Sequence, residues 1–124
     1  MRRLSLLAAL AAVLAVAPGA HAQVARYTPQ GCGTLSVTTG AAVLLSSGTY
    51  GGVSGIPANA TFALIVPTAN PVNYRDDGTA PTSTAGTSPQ WSPGGLYPYQ
   101  GTPLSALQMI GVGGTSVVGI CFYR

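Results

Sequence analysis

The sequence of 124 residues contains no lysine and no glutamate, and its single histidine is His21. Asp76 and Asp77 carry its only side-chain carboxylates. A serine or threonine hydroxyl needs a neighbouring base before it can act as a nucleophile, and zinc needs about four His, Cys or carboxylate ligands. The scarcity of these groups predicts a non-enzymatic protein with no catalytic residues, no cofactor and no metal centre.

Positive charge is also scarce, although the formal net charge is +3. Arg2 and Arg3 stand at the extreme N-terminus, and Arg26, Arg75 and Arg124 are spread along the rest of the chain. Nucleic acids and anionic lipids are bound by clustered cations, so the sequence predicts no nucleic-acid partner. Because charged side chains normally keep a protein surface soluble, a chain with so few of them is expected to self-associate or to bind a protein partner.

The N-terminus has the three parts of an export signal. Two arginines precede an apolar run over 4–16, and an Ala-His-Ala cleavage pattern occupies 20–22. The run is shorter than the roughly 20 residues that span a bilayer. Residues 1–22 are therefore predicted to be a cleaved signal peptide, which implies a periplasmic or extracellular location, no membrane anchor after cleavage and a mature chain of residues 23–124.

The mature chain has the length of one small domain. Its short apolar or alternating segments are separated by Gly- and Pro-rich turns, at the spacing of about 8–12 residues that is typical of all-β domains. This pattern predicts a small antiparallel β-sandwich, jelly-roll-like or immunoglobulin-like, with roughly six to eight short strands. The clearest predicted strands lie at 24–27, 34–39, 41–45, 60–66, 72–74 and 115–124.

Three of the intervening segments carry more specific predictions. Segment 60–66 is continuously apolar and is expected to form a central strand buried on both faces. In the Gly- and Ser-rich loop 46–57, Tyr50 and Val53 are the expected anchors. Segment 79–101 is rich in Pro, Gly, Ser and Thr, which predicts one or two short edge strands joined by long loops.

The C-terminal part of the chain holds two further signals. Leu104, Leu107 and Ile110 are spaced by three, which is typical of a helical turn, and the segment then continues as a strand. Gly113 and Gly114 follow it directly. Two consecutive glycines between apolar segments predict a hairpin turn into the last strand.

The two cysteines, Cys32 and Cys121, lie near the two ends of the mature chain. An exported protein meets an oxidising environment, so the pair is predicted to form a disulfide. Closing so long a loop stabilises a fold by about 4–5 kcal/mol in the chain-entropy model. The bond would join the first strand region to the last strand; the alternative is two unpaired, buried cysteines.

Segment 70–86 contains both carboxylates and one of the few arginines. Asp77 and Gly78 form a strong turn signal. We interpret the four residues Arg75, Asp76, Asp77 and Gly78 as a structural loop. In this loop Arg75 pairs with one aspartate, and the aspartates accept hydrogen bonds from backbone N–H groups. Neighbouring residues of an extended chain point to opposite faces, so a paired acid and base is not expected. A calcium site completed by backbone carbonyls is the alternative.

Trp91, Tyr97 and Tyr99 are the candidate interface or ligand contacts. Aromatic rings on loops stack on sugar rings or anchor protein interfaces. The same rings are equally suited to cover the open end of a small sandwich. The sequence leaves packing, protein binding and carbohydrate binding open for these three residues, and a secreted or periplasmic carbohydrate-binding module is the alternative function.

Segments 70–82 (NPVNYRDDGTAPT), 104–106 (LSA) and 121–124 (CFYR) together resemble a group of small virion proteins of tailed bacteriophages and prophages. Those proteins are β-sandwiches of about this size, with a loop of this kind before a last strand that ends in aromatics and arginine. The resemblance extends over 34–124, and its distinctive part is the loop around Arg75. It implies a structural or tail-associated protein that would be associated with the virion and has no catalytic residues.

Overall fold

The structure, a computed structural model, describes residues 27–100 and 103–124. The predicted signal peptide and positions 24–26 of the first predicted strand lie outside these residues. No helix in the described part is long and apolar enough to cross a membrane. The strands are β1 (Pro29–Val37), β2 (Val43–Leu44), β3 (Thr49–Tyr50), β4 (Val53–Ser54), β5 (Phe62–Pro67), β6 (Val72–Arg75), β7 (Gln90–Trp91), β8 (Tyr97–Tyr99), β9 (Gln108–Gly111) and β10 (Ser116–Tyr123), with 3-10 turns at Leu45–Ser47 and Leu104–Ala106.

The strands form two antiparallel four-stranded sheets and one small hairpin. Sheet 1 has the order β1-β10-β5-β8, sheet 2 has the order β2-β9-β6-β7, and β3 pairs with β4. This all-β architecture confirms the predicted fold class and is compatible with a small β-sandwich. More strands are present than predicted because β2, β3, β4 and β7 have only two residues each. The predicted edge strands of segment 79–101 are β7 and β8, one at the edge of each sheet.

Side chains on the long strands of sheet 1 alternate between the core and the outside. Val118, Ile120 and Phe122 on β10 point into the core, and Ala63 and Ile65 on β5 do the same, each at most 1% exposed. Burying one such Val, Ile or Phe side chain contributes about 1.5–3 kcal/mol. The intervening residues of β5 are only half-buried. The expectation that this strand is buried on both faces was therefore wrong, because only one of its faces meets the other sheet.

The turn after β9 changes sheets instead of closing a hairpin. β9 pairs with β2 and β6, whereas β10 pairs with β1 and β5. The predicted hairpin at Gly113 and Gly114 was therefore wrong, although the turn itself is present and Gly113 has a φ of +75°. A glycine pair indicates a tight reversal of the chain. It does not indicate whether the strands before and after the reversal pair with each other. The 3-10 turn followed by β9 confirms the prediction for the segment that begins at Leu104.

The β3–β4 hairpin closes the sandwich beside β1. Tyr50 is fully buried and packs edge-on against Phe122, with ring centroids 4.7 Å apart. Its hydroxyl donates to the Leu45 carbonyl at 2.7 Å, and burial raises the pKa of Tyr50 to about 12. The hairpin comes so close that a Cβ at Gly33 would lie 2.3 Å from the Thr49 carbonyl oxygen. Tyr50 is thus the predicted anchor, whereas Val53 is 53% exposed and is not one.

Cys32 and Cys121 form a disulfide across β1 and β10. The two residues lie directly opposite each other, with Cα atoms 4.1 Å apart. The Cys32 carbonyl accepts from the Gly51 N–H at 2.8 Å and so points away from β10. Cys32 and Cys121 are therefore a non-hydrogen-bonded pair, the position at which antiparallel strands approach most closely. The structure supports the predicted pairing and its placement on neighbouring strands.

Candidate functional site

The loop between β6 and β7, residues 76–89, is fixed to sheet 2 by a buried amide. Asn73 on β6 is fully buried. Its Nδ2 donates to the carbonyls of Thr82 and Thr84 at 2.8 and 2.9 Å, and its Oδ1 accepts from Gln90 Nε2 at 3.0 Å. A buried amide that lacked such partners would cost about 1–3 kcal/mol. Asn73 therefore holds the loop against the outer face of β6.

The first turn of this loop is built around Asp77. Arg75 donates from Nε to Asp77 Oδ1 at 3.1 Å and also forms an ion pair from Nη2 to Oδ2. The Thr79 N–H donates to the same Oδ1 at 3.0 Å, and Gly78 between them has a φ of +83°. The hydrogen bond from Arg75, and then that from the Thr79 backbone, hold the pKa of Asp77 well below its usual range. The carboxylate is thus a charged, neutralised part of the turn.

Asp76 turns to a different partner, on the other sheet. Its Oδ2 accepts a hydrogen bond of 2.5 Å from the hydroxyl of Tyr99 on β8. Burial, and then the hydrogen bond to and charge of Asp76, raise the pKa of Tyr99 well above its usual value of about 10. The contact ties the β6–β7 loop of sheet 2 to the edge strand of sheet 1.

The two aspartates therefore act separately. Asp77 is engaged by Arg75 and by the Thr79 backbone, while Asp76 binds Tyr99. They follow β6 as loop residues, so it is the loop and not strand alternation that separates their contacts. In the part of the chain that the structure describes, no group of three or more His, Cys, Asp or Glu residues could hold a metal ion. The arrangement gives the loop a fixed shape.

The aromatic residues of β7 and β8 pack together with Tyr74 of β6. Trp91 is only 5% exposed. Tyr74 stacks on it with ring centroids 3.9 Å apart, Tyr97 stacks at 5.7 Å, and Tyr99 meets it edge-on at 6.3 Å. Because β7 and β8 are edge strands of different sheets, this cluster joins the two sheets along one side. The sequence left packing, protein binding and carbohydrate binding open for these rings. The Trp91 ring is packed inside the cluster.

Tyr97 and Tyr99 are half-buried at the rim of this cluster and pack against the core. The Tyr97 hydroxyl accepts from the Ser92 N–H at 2.8 Å and donates to the Ser92 carbonyl at 3.3 Å. A Cβ at Gly95 would lie 2.4 Å from the Tyr97 hydroxyl oxygen, so glycine makes room for the ring. Both tyrosine hydroxyls are thus occupied by contacts within the chain.

The structure brings most of the predicted site residues into one region. Arg75, Asp76, Asp77 and Gly78 form the turn, and Asp76 connects it to the cluster of Trp91, Tyr97 and Tyr99. Sequence reasoning missed the residue that organises the loop. The available signal was a lone amide, Asn73, between the apolar residues Val72 and Tyr74 of a predicted strand. The disulfide lies apart from this region, on β1 and β10.

No family model, curated protein or solved structure matches the chain.

Proposed function

We propose that this protein is a non-enzymatic structural or interaction protein that self-associates, similar in type to the small virion or tail-associated proteins of phages. The observation that carries the proposal is that the charged side chains of the β6–β7 turn are bound to other groups of the same chain. Arg75, Asp76 and Asp77 are all engaged in contacts that set the shape of the β6–β7 loop. A loop held in this way offers a partner a surface of fixed shape.

The cross-sheet contacts support the same proposal. Asp76 and Tyr99 link the loop to β8, and Trp91 is packed between neighbouring aromatic rings of both sheets. A rigid domain pays little conformational entropy when it packs against copies of itself or a partner. The low charge of the chain points the same way, because few side chains would have to give up bound water on assembly.

A carbohydrate-binding module is the second candidate, and it depends on Tyr97 and Tyr99 alone. Their half-buried rings lie at one edge of the sandwich. Stacking on a sugar needs an open ring face, and the buried ring of Trp91 offers none. The packed cluster therefore favours the structural function over the carbohydrate-binding one.

We also propose that the protein is exported after cleavage of residues 1–22. The disulfide between Cys32 and Cys121 supports this, because such bonds persist in oxidising compartments. Association with a virion, which the resemblance implies, would follow export or accompany it.

One experiment tests these proposals together. The gene is expressed at full length, and the exported fraction is analysed by mass spectrometry, by native mass measurement and by binding to a panel of soluble polysaccharides. We expect a chain that begins at Gln23, a native mass above that of one chain and no retention on polysaccharide. A monomer that binds polysaccharide, with binding lost in Tyr97→Ala and kept in Val53→Ala, would replace the structural function with the carbohydrate-binding one.

A further inference from the structure

The outer face of sheet 1 is apolar over its central strands. Because the buried residues of β5 and β10 alternate with outward ones, the outward positions can be read from the register. Val117 is 46% exposed and Tyr27 is 52% exposed, and the outward residues of β5 are half-buried. We call this surface the β5–β10 face; it is formed by Tyr27, Phe62, Leu64, Val66, Val117 and Tyr123.

The aromatic end of this face is already ordered within one chain. Tyr27 stacks on Phe62 with ring centroids 5.1 Å apart, and Tyr123 lies 5.6 Å from Phe62 on the other strand. Ordered rings lose little side-chain entropy when a partner covers them. At this end of the face, binding a partner would therefore cost little side-chain entropy.

Within residues 27–100 and 103–124, no charged side chain lies on the face. Among the described residues, Arg75, Asp76 and Asp77 belong to sheet 2 and its loop, and Arg124 follows β10 at the end of the chain. Burying a charge without a partner is costly, and this surface can be removed from water without doing so. A charged or strongly polar partner would find no complement here, whereas an identical neutral face would.

The size of the face limits the contact area that two copies can share. The whole outer face of sheet 1, with four strands spaced by about 4.8 Å, is about 19 Å wide, and the six residues of β5 rise about 20 Å, so these lengths set an upper bound for the β5–β10 face. The planar footprint is therefore at most about 400 Å² per copy, and the side chains that stand above the sheet increase it. Two copies together give about 800 Å² on this measure, which is below the roughly 1,000 Å² of stable specific interfaces and in the range of weak contacts. Such a contact gives a reversible dimer whose population depends on concentration.

We propose that the β5–β10 face binds the same face of a second copy of this chain, forming a two-fold symmetric dimer in which two sheets pack face to face. This rests on the proposed self-association and assigns the surface that mediates it. Packed sheets lie about 10 Å apart, and a two-fold axis makes the same patch meet itself.

The position of Arg124 favours one orientation of the two copies by a small electrostatic margin. Arg124 follows the last residue of β10 and so stands at one end of the face. If the two-fold axis ran along the strands, the two arginines would lie at the same end and repel each other. An axis across the strands separates them and places Val117 of one copy over the aromatic end of the other. In this orientation Gly119, in the middle of β10, lies near the axis.

Gly119 provides the most specific test. A Cβ at this position would lie 3.7 Å from the Val66 carbonyl oxygen and 4.0 Å from Val66 Cβ, which are ordinary contacts. Gly119→Arg therefore fits the isolated sheet but sets two like charges against each other across the dimer axis. Gly40→Arg is the matched control, because Gly40 is exposed on the loop after β1 and no heavy atom beyond its own chain neighbours lies within 4 Å of its Cβ position.

Sedimentation of the protein expressed from the full-length gene is followed over a concentration series. We expect a wild-type monomer–dimer equilibrium with little dependence on salt, because the interface is neutral. Gly119→Arg should weaken the dimer at least about tenfold, since facing like charges cost more than one kcal/mol. Gly40→Arg should dimerise as the wild type does. Val117→Arg, at an exposed position, should also weaken the dimer. It tests the same face without changing Gly119.

The outcomes separate this inference from the proposed function. A wild type that assembles, with Gly119→Arg and Val117→Arg assembling equally well, would overturn the β5–β10 face and leave self-association in place. A wild type that stays monomeric at every concentration would overturn both. Thermal unfolding of each variant, compared with that of Gly40→Arg, shows whether a monomeric variant is folded, and dissociation counts in favour of the face only for a folded variant.

Discussion

The outer faces of the two sheets differ in a way that their strand orders do not explain. Both sheets are antiparallel and have four strands. On sheet 2 the outward residue Asn73 is fully buried and its register partner Ile110 is 6% exposed. On sheet 1 the outward residue Val117 is 46% exposed. One sheet has its own loop as a cover, and the other presents its outer face to the surroundings.

The cause is local to one connection. The β6–β7 loop can lie on sheet 2 because Asn73 supplies two donors to its carbonyls and an acceptor to Gln90. A buried loop backbone needs such partners, since unpaired carbonyls are costly away from water. The outward residues of β5 are Phe62, Leu64 and Val66, which have no hydrogen bonds to offer. In this chain, the covered sheet has an amide that pairs with the loop carbonyls, and the outward residues of β5 include no such group.

The largest expected effect comes from opening the disulfide of sheet 1. Replacing both cysteines, Cys32→Ala together with Cys121→Ala, should lower the free energy of unfolding by about 4–5 kcal/mol, because the unfolded chain regains the entropy of a long loop. Urea unfolding with and without a dithiol measures this. The double variant serves as its own control, because the dithiol should leave it unchanged. Equal midpoints for wild type with and without dithiol would contradict the prediction.

The second-largest effect is expected from releasing the β6–β7 loop from the outer face of sheet 2. Asn73→Ala should lower the free energy of unfolding by about 2–3 kcal/mol, because the carbonyls of Thr82 and Thr84 lose their partner in a buried place. Amide hydrogen exchange should rise across the β6–β7 loop and stay unchanged in β10.

Asn70→Ala is the matched control for this change. Among the described residues, the Asn70 side chain makes one hydrogen bond, from Nδ2 to the Thr115 carbonyl at 2.8 Å. Its loss should cost about 1 kcal/mol or less, since this bond is more exposed. If both variants lost the same stability and the same loop protection, Asn73 would have no special function in holding the cover.

The smallest effect is the pH dependence of the turn. Arg75 and the Thr79 N–H lower the pKa of Asp77 in the folded protein relative to the unfolded chain. The resulting stability is present above the unfolded pKa of about 3.9 and is lost as pH falls towards the folded pKa. Asp77→Asn should therefore lower stability slightly at neutral pH and flatten its decrease in acid.

Thermal unfolding of wild type and Asp77→Asn between about pH 2 and pH 7 measures this difference. Because Arg75 and Asp77 are substantially exposed, the difference should shrink further at high salt. Parallel pH profiles for the two proteins would show that the ion pair adds nothing to folding.

Local signals in the sequence predicted several elements correctly. The segment 115–124 corresponds to β10, Ser116–Tyr123, and Cys121 within it pairs with Cys32 on β1 as predicted. Alternation and turn residues act between near neighbours, so they can be read from a single chain. The turn at Asp77 and Gly78 belongs to the same class, because Gly78 supplies the positive φ that the turn requires.

The incorrect predictions concern contacts between distant segments. Gly113 correctly indicated a reversal of the chain. It did not indicate that β9 and β10 belong to different sheets. Val53 looked like Tyr50 as an apolar anchor in the same loop, yet only Tyr50 reaches the core. Asn73 could be recognised as an anchor only once the loop carbonyls that it binds were in place.

Composition and local pattern determined that this chain folds as short antiparallel strands, closes a cysteine pair and carries few groups for proton transfer. The packing of distant segments decided which face of each sheet is covered, and it turned Trp91 inward between the two edges. The physical reason is the range of the interactions. Backbone preference and alternation extend over a few residues, whereas a buried hydrogen bond or a ring stack exists only when the folded chain brings its two partners together.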